Sequence, residues 1–133
     1  MRLRRRRMPP ELQPAFDAFV EVVAHVERGK AALTESMPST RFGGRPLAES
    51  LLEFEEELAE AAAGMPAWRR PEIAAAWSGA DDGLRASMAL AVRLRSEAPD
   101  PGGFEGLIAV IGELLGPLEG FADARDTLLG LRI

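Results

Sequence analysis

Apolar residues in this chain recur three and four positions apart, in four stretches separated by proline and glycine, and this spacing leaves few folds open. In the first stretch Leu12, Phe16, Phe19, Val23 and Val26 follow at steps of three and four, which at 100° per residue puts them on one helical face. The pattern runs from just after Pro9-Pro10 to about Leu33. It stops before Met37-Pro38, because a residue preceding proline is driven out of the α region. Ser36 to Arg45 reads as a loop, punctuated by Pro38 and Gly43-Gly44. Pro46 suits the first position of a second helix, whose stripe is Leu47, Leu51, Phe54, Leu58 and Ala62. Gly64 is placed to cap that helix, with Pro66 as the stop.

A third helix is predicted from Pro71, with Ile73, Trp77, Ala80, Leu84, Met88 and Ala91 in phase to about Glu97. Gly79 and Gly83 interrupt it. Each glycine costs about 1 kcal/mol against alanine inside a helix, so the segment reads as one helix with a weak point or as two helices. Asp100 and Pro101 signal the start of a fourth. Phe104, Leu107, Ile108, Ile111, Leu114, Leu115, Leu118, Phe121 and Leu128 then hold phase to the end. Since phase survives Gly116-Pro117, a kinked helix is expected there rather than two helices. No stretch alternates as a strand does. The predicted fold is all-α, an antiparallel up-down-up-down four-helix bundle, with helix three or four split or kinked. Residues 1–9 form a flexible basic arm and 10–133 a single domain. With 133 residues, 47% of them hydrophobic, the chain can bury a sizeable core.

Composition narrows function by exclusion. Cysteine is absent, so there is no disulfide, thiolate metal site or cysteine nucleophile. No apolar run approaches a membrane span, and the basic N-terminus lacks the apolar segment of a signal peptide; the expectation is a cytoplasmic protein. Arg2, Arg4, Arg5, Arg6 and Arg7 supply five of the sixteen cationic groups. Without them the net charge moves from −5 to −10, and a body that acidic repels nucleic acid. A nucleic-acid role would rest on the arginine arm alone, which carries no aromatic residue for stacking on bases.

Few residues suggest chemistry. Glu49, Glu53, Glu56 and Glu60 share the face of helix two opposite its leucines, with Glu57 beside them. Such a row is either a solvated surface or a grip for a basic partner or a hard cation. His25 lies on the polar side of helix one, a turn after Glu21; it is a surface histidine or a general base. A di-iron site needs two Glu-x-x-His units, and the residue three before His25 is Val22. Phe42-Gly43-Gly44-Arg45 lacks the spacing and lysine of a phosphate loop. Trp68 is expected to cover one end of the core and Trp77 to fill it.

Glu57-Leu58-Ala59-Glu60 resembles the first half of the signature of the all-α nucleotide pyrophosphohydrolases of the MazG type, Glu-x-x-Glu followed by Glu-x-x-Asp. Further along stands Ser78-Gly79-Ala80-Asp81, with serine where that family has its glutamate. The resemblance implies magnesium held between helices by Glu56, Glu57, Glu60 and Asp81, and hydrolysis of a nucleotide.

The most specific pattern is Gly112, Gly116 and Gly120, four residues apart and roughly opposite the Leu/Ile face of helix four. Three glycines in one row permit close approach of another backbone, which would come from this chain or from a second subunit. No catalytic constellation is complete and no cofactor or metal is expected. The favoured function is therefore protein–protein contact or self-association, a homodimer included. Gly112, Gly116, Gly120, Glu49 and Glu53 are the interface candidates.

Overall fold

The computed structural model describes residues 7–36, 45–97 and 104–132. Among these the regular structure is all helical, with no strand: α1 is Gln13–Thr34, α2 Leu47–Gly64, α3 Ala74–Glu97, α4 Phe104–Leu115 and α5 Gly120–Leu129. Three 3-10 turns join or extend them, at Met65–Trp68, Pro71–Ile73 and Gly116–Glu119. The last turn links α4 to α5 as one bent arm, so four helical rods pack together as the periodicity predicts.

Neighbouring rods are antiparallel. Gly29 of α1 lies under Phe54 of α2, while Val22 meets Gly64 at the other end of the same pair. Arg95 near the end of α3 bonds Glu55 of α2, and Trp77 near its start donates its N–H to the Met65 carbonyl at 2.9 Å. Gly83 of α3 faces Pro117, and Ser87 reaches the Leu114 carbonyl. The core runs through the middle of all four rods, with Phe19, Leu51, Phe54, Leu58, Leu84, Leu114 and Leu128 buried. Each such side chain contributes about 1.5–3 kcal/mol when fully removed from water.

Local signals act at slightly different positions from those expected. Pro46 sits just outside α2 rather than as its first residue, and Gly64 is the last helical residue in an ordinary right-handed conformation. Its lack of a side chain serves packing, since a Cβ there would lie 2.7 Å from Val22 Cγ2. Gly79 and Gly83 do not break α3, which is continuous. Glu35 and Arg45 join the ends of the first connection through a backbone bond of 2.8 Å, beside the buried Ser36–Ser50 hydroxyl pair at 2.7 Å. The glycine loop between them, the predicted caps Asp100 and Pro101, and the arginines at 2, 4, 5 and 6 lie outside the described residues. No helix among the described residues is long and apolar enough to cross a membrane.

Candidate protein-interaction surface

The acidic row of α2 is divided among internal partners. Arg45 lies between Glu53 and Glu35, the latter at 2.9 Å, with Glu49 at 3.5 Å. Its bond to Glu53, and then that to Glu35, pushes the guanidinium pKa further up. Glu49 and Glu53, two of the interface candidates, thus form a clasp that ties the start of α2 to the end of α1. Glu55 pairs with Arg95 of α3. Glu57 turns the other way and bonds His25 Nδ1 of α1 at 2.8 Å, with Arg28 at 3.3 Å from the same nitrogen. The partner of His25 is therefore on the next helix and not Glu21.

Consecutive helical residues point about 100° apart, so Glu56 and Glu57, both implied by the hydrolase resemblance, turn to different surroundings. Glu57 faces α1, Glu56 and Glu60 are exposed, and Asp81 on α3 pairs with Arg85 at 2.9 Å. Among the described residues no three His, Asp or Glu side chains gather where they would hold a metal ion.

The glycine row is split as well. A Cβ added at Gly112 or Gly116 would meet nothing among the described residues, whereas one at Gly120 would lie 3.1 Å from the Gly79 carbonyl oxygen and 3.3 Å from Ala80 Cα. The cause is the 3-10 turn at Gly116–Glu119. Four residues advance about 400° in an α-helix and about 480° in a 3-10 helix, so Gly120 is swung roughly 80° towards α3. The tightest crossing, missed from sequence, is at Gly83, where a Cβ would fall 1.9 Å from the Pro117 carbonyl oxygen. The four-residue spacing of Gly79 and Gly83 was the available signal, the same small-residue repeat noted on helix four.

The close α3 crossing leaves the opposite side of the arm open. α1 packs on α2 and on the turn at Met65–Trp68, while α4 and α5 pack chiefly on α3. Between α1 and α5 runs a groove of about 420 Å³, floored by Val23, Val26, Leu118, Phe121 and Ala122. Two partly exposed apolar stripes lead into it. Phe16, Val20 and Val23 follow at helical spacing on α1, with Val20 50% exposed. Ile108, Ile111 and Leu115 do the same along α4, with Ile108 46% exposed.

Comparison with known protein families, curated proteins and solved structures finds no match to this chain.

Charged residues rim the groove. Lys30 pairs with Glu27 at 3.3 Å and Arg125 approaches Asp126 at 3.8 Å. Glu119 and Asp123 also line the groove, and neither is in an ion pair among the described residues. Behind the floor, Trp68 is fully buried, with Phe19 at 4.9 Å edge-on and Phe121 at 6.4 Å between ring centres. Trp68 is the core residue and Trp77 the half-buried one, the reverse of the expected division. Trp77 is held by its bond to Met65 and lies 4.8 Å beneath the Arg69 guanidinium. Trp68 Nε1 has no hydrogen-bond partner among the described residues, a cost tolerated for the apolar area this ring buries between α1 and α5.

Proposed function

We propose that this chain is a non-enzymatic helical interaction module that docks a protein partner along the open side of its bundle. The observation that carries this reading is the groove between α1 and α5, apolar on its floor and fed by exposed apolar stripes on both sides. Contiguous apolar surface with a polar rim is how soluble proteins present docking sites. The acidic row of α2 supports the reading less, because Arg45 already engages Glu49 and Glu53 and His25 engages Glu57 beside them.

Val20→Asp with Ile108→Asp is the direct test, since both side chains are exposed and the fold does not depend on them. The double variant is expected to keep its helical circular dichroism and to lose at least about tenfold in affinity for a partner purified on the wild-type protein. Undiminished binding by the folded variant rejects the reading. Self-association is the second form of the same reading, favoured by the bare backbone at Gly112 and Gly116 beside Ile111 and Leu115. Sedimentation velocity at tens of micromolar decides between them: a dimer dissociated by the double variant identifies a second copy as the partner.

A further inference from the structure

We infer that the occupant of this groove is an amphipathic helix with a cationic flank, a proposal that rests on the docking reading and names its partner class. The walls are two antiparallel rods whose exposed apolar residues recur at three and four positions. Surfaces of that kind are met by a helix presenting anchors at i, i+3, i+4 and i+7. A helix laid over the groove would insert its anchors between Val23 and Phe121.

Charge selects among amphipathic helices. On the rim, Lys30 and Arg125 each have an acidic neighbour of their own, at Glu27 and Asp126. The rim is net negative, with Glu27, Glu119 and Asp123 against Lys30 and Arg125, and Glu119 and Asp123, four residues apart on the same wall, are in no ion pair among the described residues. A partner with Glu or Asp along its flank meets repulsion there, and one with Lys or Arg completes two ion pairs as its apolar face is buried. The acidic net charge of the body works in the same direction at longer range.

The probe is a fluorescently labelled Leu/Lys amphipathic helix of about eighteen residues, long enough to cover the groove at 1.5 Å per residue. It is compared with a Leu/Glu peptide of identical apolar face. The Leu/Lys peptide is expected to bind the full chain, and Glu119→Lys with Asp123→Lys to weaken it by about tenfold or more. Glu56→Lys with Glu60→Lys changes net charge equally on a different face and is expected to weaken it less than about threefold. Equal losses in the two double variants would mean attraction to overall charge and would overturn the inference. Equal binding of the Leu/Glu peptide also overturns it, while leaving the apolar docking reading intact. If neither peptide binds and Val20→Asp changes nothing, the docking reading fails too. Two further results replace the occupant and overturn the inference. One is a many-fold rise in peptide affinity on deleting residues 1–7, which would seat this chain's own arginines in the groove. The other is a dimer that the peptide cannot compete with.

Discussion

At the scale of single residues, two glycines one turn apart in α3 should respond to the same substitution with opposite signs. An alanine at Gly83 places its Cβ 1.9 Å from the Pro117 carbonyl oxygen and 2.9 Å from its carbon. Both are backbone atoms, so nothing can rotate away and the rods must separate. The overpacking cost of about 1–3 kcal/mol outweighs the roughly 1 kcal/mol gained in helix propensity. At Gly79 the new methyl meets nothing, and the propensity gain of up to about 1 kcal/mol appears alone. Urea denaturation of Gly83→Ala and Gly79→Ala is expected to move the midpoint down and up respectively; destabilisation of both would contradict this packing. A second residue-scale prediction concerns Glu72. Arg70 grips both of its carboxylate oxygens at 3.1 Å. This bond first, and the residue's own N–H second, hold its pKa below the ordinary glutamate value against a smaller desolvation effect. A carboxylate depressed in the folded state adds stability at pH values above its unfolded pKa and loses it as the pH falls through the lower folded one. Carboxyl-detected NMR titration should show the Glu72 midpoint rising in Arg70→Met, and an unchanged midpoint would remove Arg70 as the cause.

At the scale of elements, the bend between α4 and α5 shows how one proline is accommodated and what it requires of a neighbour. Pro117 has no N–H, so a carbonyl of the preceding turn lacks a donor. In 3-10 spacing that carbonyl belongs to Leu114, and Ser87 of α3 donates its hydroxyl to it at 2.6 Å. Both groups are buried at the crossing marked by Gly83. Ser87→Ala is expected to cost about 1–3 kcal/mol, far more than the loss of a surface serine, because a buried acceptor is left unpaired. An unchanged denaturation midpoint would mean that this carbonyl has another donor. The positions of the helices were legible in the sequence because burial imposes the three-and-four spacing directly; Leu12 to Val26 and Leu47 to Leu58 fall where their phase put them. What happens at Gly116-Pro117 was not legible. A kinked α-helix and a 3-10 insertion both keep Leu114 and Leu118 on the core side, and they differ in how far the segment beyond the turn, Gly120 included, is rotated about the helix axis. Periodicity counts the apolar face, and Gly120 is not on it.

At the scale of the whole molecule, the open groove follows from unequal crossings around the bundle. Gly83 against Pro117 and Gly120 against Gly79 draw the α4–α5 arm onto α3. Trp68, with Phe19 on one side and Phe121 on the other, stands between that arm and α1. Val23, Val26, Leu118 and Phe121 could each be read from the sequence as members of apolar stripes. That two of those stripes would stand apart could not, because separation depends on backbone approach elsewhere and on one indole filling the gap. The partners of the α2 carboxylates were hidden for a related reason: spacing within α2 says nothing about which neighbouring rod supplies the partner of each, and for Glu57 it is His25. The same asymmetry has a dynamic consequence. In α4, Leu107 and Leu114 are buried, Val110, Ile111 and Leu115 are only partly covered, and Ile108 is exposed. A rod with one packed flank opens at lower free energy than rods packed on two, since local opening free energy follows the buried contacts that must be given up. Native-state hydrogen exchange should therefore find α4 less protected than α2 and α3. Addition of the Leu/Lys helix should raise protection in α4, in α5 around Phe121 and in the Val20–Val26 stretch of α1, with little change around Glu56 and Glu60. Protection arising on α2 instead would move the docking surface to its acidic row. Uniform protection of all four rods before any peptide is added would mean that the open side is closed in solution.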